Sequence, residues 1–265
     1  MPLDVGSQFA WAAVIMVVLF GALWIVERVR LDASIVDVGW SAGLGMLAIW
    51  FAATTPAENA RPWFVAVLGS VWSLRLAAHL LFDRVIGKSE DGRYVRLRTS
   101  WGPRAGFYFF LFFQAQSLLA LLFVTPLSIA MRADRPLGDV FDGIGCVIWL
   151  ISVVGETMAD RQLAAFRADP TQRGKVCRSG LWRYSRHPNY FFEWLHWWAY
   201  VALAVGHPWA WLTLIGPALM LFFLLFVTGI RATEAHLLQS RGEAYRQYQR
   251  TTSPFIPWFP RKETP

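Results

Sequence analysis

The chain alternates long apolar runs with short polar connections. Seven runs, near residues 8–27, 35–53, 62–84, 106–131, 140–160, 190–206 and 208–230, each have about the 17–25 residues that cross a hydrocarbon layer of roughly 30 Å as a helix. The pattern predicts an all-α fold, a seven-transmembrane-helix bundle. The leader MPLDVGSQF has no positive n-region and no small-residue cleavage pattern follows it, so the first run is expected to be a retained span. Val205-Gly206-His207-Pro208 alone separates the last two runs, which predicts an antiparallel hairpin with Pro208 opening the return helix, where its missing N–H costs nothing. The pattern changes after the last run. Residues 231–250 are polar, with Leu237, Leu238, Tyr245 and Tyr248 as the apolar minority, which predicts a short helix lying against the bundle and broken in two by Gly242. No linker, repeat or low-complexity run interrupts the sequence, so residues 1–265 are expected to form one membrane-embedded domain with a tail at 231–265.

Composition strengthens this picture: 55% hydrophobic residues, 15 Trp and 20 Phe exceed what a soluble core of 265 residues needs. Charge then gives a direction. Of 25 lysines and arginines, 21 fall on one set of alternate connections, namely Arg28 with Arg30 and the stretches 84–104, 161–186 and 231–262. The other set holds Arg61, Arg132 and Arg135, while Arg75 lies inside a span. Short loops rich in Lys and Arg stay in the cytoplasm, so the N-terminus is expected outside and the C-terminus, with its short helix and Lys262, in the cytoplasm. The net charge of +7 is accounted for by topology, and no nucleic acid is needed to explain it. Cys146 and Cys177 lie too far apart in this topology to pair and are expected reduced.

Ionisable groups at membrane depth are costly and mark cavities or partners. They are few here. Asp37 stands at the start of span two; Arg75 and His79 share a helix face in span three; Glu156 and Asp160 share one in span five; Asn189 and Glu193 share one in span six. All project toward the basic end of the bundle, which predicts a polar cavity open to the cytoplasm. Around it the connections carry Arg167, Arg173, Lys175, Arg178, Arg183, Arg186 and Arg231, a density suited to phosphate, although positive-inside topology and anionic headgroups account for any one of them singly. His196 is expected to be a packed, hydrogen-bonded histidine. No metal site is assigned.

The stretch GLWRYSRHPNYFFEWLHWWAY (180–200) and the later IRATEAHLLQSRGEAYRQYQRTTSPFIPWFP (230–260) resemble the C-terminal half of the steroid 5α-reductase family, in particular its bacterial membrane-protein branch. WSLRLAAHLLFDR (72–84) and EDGRY (90–94) extend the resemblance to about residues 35–260. Its most specific part is Asn189, Tyr190, Glu193 and Trp194 ahead of a membrane hairpin and a Tyr-x-x-Tyr…Pro tail. The Arg-His-Pro at 186–188 is shared with isoprenylcysteine carboxyl methyltransferases. The resemblance implies a seven-span enzyme that binds NADPH from the cytoplasm and delivers hydride to an enone in a steroid or other lipid-like substrate. It implies that Asn189, Glu193, Asp160 and Glu156 hold the nicotinamide and ribose region, that Arg75 belongs to the same site, and that Arg167, Lys175, Arg231 and His236 lie near the phosphates and adenosine. Asp37 falls near a family glutamate that polarises the substrate carbonyl, and Trp72 takes the place of that residue's tyrosine partner.

Hydride addition to an enone charges the carbonyl oxygen, so a donor aimed there accelerates the step. Asp37 is expected to be that donor, kept protonated by its apolar neighbours Val36, Val38 and Trp40. The alternative is a membrane methyltransferase using S-adenosylmethionine beside Arg186, His187 and Glu234. A third reading is a lipid-binding or scaffold protein whose buried acids are structural pairs. Membrane lipids are the expected surroundings, and no obligate protein partner is inferred.

Overall fold

A computed structural model describes residues 2–227 and 229–261; Met1, Thr228 and residues 262–265, with Lys262 of the expected basic tail, lie outside the described residues. Among the described residues there is no strand, only a single bridge between Ser185 and Ser253. Six helical stretches are long and apolar enough to cross a membrane: Val5–Arg30, Ile35–Thr54, Arg61–Val85, Gly92–Ala130, Val140–Ala168 and Ala210–Arg241. The chain is a multi-pass integral membrane protein. The expected sixth span falls on a helix of 16 residues, Pro188–Leu203, about 24 Å long at 1.5 Å per residue and shorter than the other spans.

Two compact units make up the chain, the first built from residues 1–137 with 204–213, the second from 138–203 with 214–265. The first contains α1 (Val5–Arg30), α2 (Ile35–Thr54), α3 (Arg61–Leu80), the short α4 (Gly92–Trp101) and α5 (Ala105–Ala130). Helix α2 is the central element: over half of its span is buried, against about a sixth for α1, whose surface is left for lipid. Small residues let α3 approach α2 closely, as in membrane bundles generally. The Gly45 N–H donates to Ser73 Oγ at 2.8 Å, and a Cβ on Gly45 would stand 2.6 Å from that oxygen. Ser73 in turn donates to the Ser41 carbonyl.

At the other end of this unit, arginines expected in open loops are drawn inward. Arg61 is buried and its Nη2 donates to the carbonyls of Arg135 (3.3 Å) and Pro136 (3.0 Å); Arg132 donates to Ser128 and to the buried amide oxygen of Gln8. These guanidiniums serve backbone, hydroxyl and amide oxygens. The connection between the last two runs also differs from expectation. Pro208 lies within the turn, and the return begins with a 3-10 stretch, Ala210–Leu214, before α8 (Ile215–Phe222). Gly206, at φ 92°, and the Arg135 Nε bond to the Val205 carbonyl (2.7 Å) shape the longer turn.

The second unit contains α6 (Val140–Ala168), α7 (Pro188–Leu203), α8, α9 (Ile230–Arg241) and α10 (Glu243–Thr251). Gly145, Ser152, Gly155 and Ala159 form a stripe of small residues on the buried face of α6, and α7 packs against it. A Cβ on Gly155 would stand 2.5 Å from the Phe192 ring, and one on Gly145 would stand 2.6 Å from Leu203. The expected break at Gly242 is present: its φ of 54° separates α9 from α10, and the apolar Tyr245 and Tyr248 of α10 are buried.

Candidate functional site

The close seating of α7 on α6 gathers the polar residues expected in spans five and six. Glu156 and Asp160 share the buried face of α6 with Gly155 and Ala159. Opposite them α7 opens with Asn189 and carries Glu193 one turn further on. Asn189 Nδ2 donates to Asp160 Oδ1 at 3.4 Å, so the structure brings these two together as the spacing expects. Asn189 Oδ1 is buried and has no hydrogen-bond partner among the described residues. The approach to α7 is fixed by the Trp182 indole N–H, which donates to the Ala159 carbonyl at 3.0 Å.

The basic residues expected near phosphate lie at the surface of this same unit. Arg167 ends α6, Lys175 lies in the following loop, and Arg231 and His236 lie on α9, all of them exposed. The Lys175 carbonyl accepts from Arg241 Nε at 3.2 Å, and the Arg231 guanidinium stands 4.9 Å from the Phe226 ring centre.

A second polar centre of this unit is more deeply built. Glu234 on α9 accepts from Arg186 Nε (2.7 Å), His187 Nε2 (3.2 Å) and the Tyr245 hydroxyl (3.3 Å) on one oxygen, and from Gln249 Nε2 (2.7 Å) on the other. Arg186 also donates through Nη1 to the carbonyls of Gln249 (3.0 Å) and Thr252 (2.6 Å). Burial lowers the pKa of His187 in spite of Glu234, so the imidazole is neutral near pH 7; since a carboxylate only accepts, its proton sits on Nε2. The ring stacks on Tyr190 with centres 5.3 Å apart. Tyr245 and Gln249 escaped the sequence reading as members of this centre. The Tyr-x-x-Tyr spacing was visible, but the acid that Tyr245 meets belongs to another helix.

In the first unit, EDGRY turns out to be an assembled cluster. Glu90 accepts from Arg98 Nη2 (2.7 Å) and from the Ala33 N–H (2.8 Å). Asp91 accepts the Arg93 N–H at the start of α4 (2.9 Å). Arg93 Nη2 donates to Asp37 Oδ2 at 2.8 Å, and the Tyr94 hydroxyl donates to Asp37 Oδ1 at 2.7 Å. The Asp37 carboxyl thus holds a guanidinium on one oxygen and a phenol on the other. Beside it Arg98 Nη1 pairs at 2.8 Å with Glu27, an acid buried near the end of α1. Sequence reading missed Glu27, Arg93, Tyr94 and Arg98 as members of a site, although two of them stand inside a quoted motif. Trp72 is buried on α3, with Arg75 and His79 half-buried on the same helix at i,i+4 spacing.

No solved structure matches the chain. An uncharacterized protein of Schizosaccharomyces pombe is 26% identical to it, over 95% of this chain and 80% of the yeast protein. The model of a family described as "Protein of unknown function (DUF1295)" matches residues 23–252, a stretch that holds the Asp37, Asp160 and Glu234 centres alike. With most of its length inside that match, the chain belongs to the DUF1295 family.

Proposed function

We propose that this chain is an NADPH-dependent reductase that adds hydride to the C=C of a lipid-like enone, a 3-oxo-Δ4 steroid being the model substrate. The observation that carries the reading is the Asn189–Asp160 pair. A carboxylate accepts only, so the Asn189 amide nitrogen faces it and Oδ1 is left as a buried acceptor lacking a donor. Such an acceptor costs about 1–3 kcal/mol, which a bound primary carboxamide, the group that nicotinamide carries, restores by supplying the N–H. Glu156 and Glu193 flank the pair on α6 and α7, and the exposed Arg167, Lys175, Arg231 and His236 are suited to phosphate oxygens. NADPH, when bound, supplies the hydride.

The remaining work falls to the chain. Negative charge develops on the substrate carbonyl oxygen, and a fixed O–H or N–H donor stabilises it. Asp37, paired with Arg93, holds the Tyr94 O–H at rest; when the enone binds, that hydroxyl turns its one proton from Asp37 to the carbonyl oxygen, and Tyr94 is assigned the donor's role. Trp72, in the same unit as Asp37 and Tyr94, is assigned to the substrate. In this reading α7 is the sixth of seven spans, the N-terminus is outside, and the basic connections face the cytoplasm, where the cofactor is supplied. The competing reading, methyl transfer from S-adenosylmethionine beside Arg186, His187 and Glu234, is disfavoured because the four donors on Glu234 are all groups of the protein itself.

The test is a binding titration on detergent-purified protein with NADPH, NADH and S-adenosylmethionine, comparing wild type with Asn189→Ala and Glu193→Ala. NADPH is expected to bind the wild type and to bind both variants about tenfold more weakly, the loss of one hydrogen bond. Binding of S-adenosylmethionine with none of NADPH overturns the proposal.

A further inference from the structure

Beyond α10 the chain runs as Ser253-Pro-Phe-Ile-Pro-Trp-Phe-Pro-Arg261, a segment without helix or strand. Prolines at 254, 257 and 260 keep the backbone extended and remove three N–H donors that would otherwise need partners. One side of the segment is tucked in: Phe255 is buried against Phe191 and Trp194, and its carbonyl accepts from Ser185 Oγ at 2.8 Å. The other side is turned out, with Ile256, Trp258 and Phe259 exposed by 58%, 70% and 76%.

These exposed rings are held in place. The Trp258 N–H donates to the Tyr184 carbonyl at 2.9 Å, the Arg261 N–H donates to the Thr251 carbonyl at 2.8 Å, and the Phe259 ring stands edge-on to Tyr184. Helix α10, immediately before, is built the opposite way: Tyr245 and Tyr248 are inside and the exposed positions carry Glu243, Arg246 and Arg250. The surface of the tail is therefore polar up to residue 251 and aromatic after it. The level at which the aromatic part is pinned is informative. Tyr184 precedes by four residues Pro188, where the apolar helix α7 begins, so Trp258 and Phe259 lie beside the start of a helix that the proposed function reads as a span, a reading on which this inference rests. Arg183, next to Tyr184, and Arg261, two residues beyond Phe259, are exposed on the same segments. Amphipathic rings flanked by guanidiniums at a helix entrance match the chemistry of a bilayer boundary, where ring bodies meet acyl chains and cations meet lipid phosphate.

We propose that residues 256–261 are an interfacial membrane anchor: Ile256, Trp258 and Phe259 enter the headgroup–acyl boundary, Arg183 and Arg261 meet anionic lipid phosphate, and the backbone bonds to Tyr184 and Thr251 transmit that depth to the loop ahead of Asn189. The family match ends at residue 252, so the anchor lies beyond the stretch that defines the family.

The test uses the full chain in vesicles of phosphatidylcholine with phosphatidylglycerol, comparing the tryptophan emission of wild type with that of Trp258→Phe, a substitution that keeps a ring in place. The emission component lost in the variant is expected to be quenched by lipids brominated near the carbonyls and shielded from acrylamide, with weaker bromolipid quenching in vesicles of phosphatidylcholine alone. A component open to acrylamide and indifferent to brominated lipid overturns the anchor, and so does one shielded from both, which would place protein over the rings. A nitroxide at Ile256→Cys, compared with one at Glu243→Cys and with the chain lacking either, gives a second measure: high oxygen and low nickel-chelate accessibility at 256 alone supports the anchor, and equal accessibility at the two positions overturns it.

Discussion

Asp37 and Glu234 are two answers to the same problem, a carboxylate held at the end of an apolar bundle. Each has an arginine and a tyrosine, yet they differ in what is left over. Glu234 takes four donors from two segments of the protein, three on Oε1 and one on Oε2, as many in total as the about four lone-pair sites of a carboxylate. Asp37 takes two donors, both from consecutive residues of one short helix, and its side chain is still about a quarter exposed. The saturated centre ties α9 and α10 to the loop ahead of α7. The half-filled centre keeps acceptor capacity and a phenol within reach of something else. A polar residue in a membrane protein thus declares its role less by its identity than by how many of its bonds the protein has already made.

The largest expected effect breaks the saturated centre. Glu234→Ala leaves the Arg186 charge buried without its carboxylate, a loss of roughly 3–5 kcal/mol, read as a sharp fall in Tm in detergent; Glu234→Gln, which keeps an acceptor, should fall in between. An unchanged Tm in Glu234→Ala would remove the structural assignment. Next comes the half-filled centre. Tyr94→Phe should lower turnover of an enone on the order of 10²-fold, as removal of one oxyanion donor does, with NADPH affinity unchanged. If affinity falls along with turnover, Tyr94 belongs to the cofactor site and not to the substrate's. A third effect concerns the packing that presents Asn189. Gly155→Ala places a methyl against the Phe192 ring at 2.5 Å, and overpacking of this kind costs about 1–3 kcal/mol; thermal unfolding would read it, and weakened NADPH binding should accompany it. The smallest difference separates two variants of one residue. A protonated Asp37 predicts that Asp37→Asn outperforms Asp37→Leu, whereas the ion pair with Arg93 predicts comparable losses, because both remove the charge that holds the guanidinium. Side-by-side rates decide the matter, and a clear advantage for the Asn variant would restore the protonated acid.

Much of the helix layout was legible because the apolar runs leave little choice: the expected spans near 35–53 and 62–84 agree within a residue or two with α2 and with α3 through its terminal π turn. Helix α4 was not legible. Its Arg93, Arg96 and Arg98 read as one more positive connection, and hydropathy alone cannot distinguish an arginine facing anionic headgroups from one bonded to Asp37 or Glu27. For the same reason Arg61 looked like a loop residue and proved to be buried. The i,i+4 pairs on α6 and α7 were readable as faces, since helix periodicity fixes which residues share a side. That Asn189 meets Asp160 depends on the small-residue stripe of α6, which becomes informative only once the partner helix is known. The partners of Asp37 were not legible from its local neighbours, because Arg93 and Tyr94 arrive from more than fifty residues away.

The bonds of Arg186 also have an order in time. Its backbone partner Ser253 and its carbonyl partners at 249 and 252 are made more than sixty residues after it on the ribosome. Until then Arg186 lacks these partners, and the approach to α7 is held by the Trp182 bond to the Ala159 carbonyl. The polar tail is therefore the last piece of the entrance to α7 to be made: a nascent or clipped chain without it leaves Arg186 without its carboxylate and its carbonyl partners.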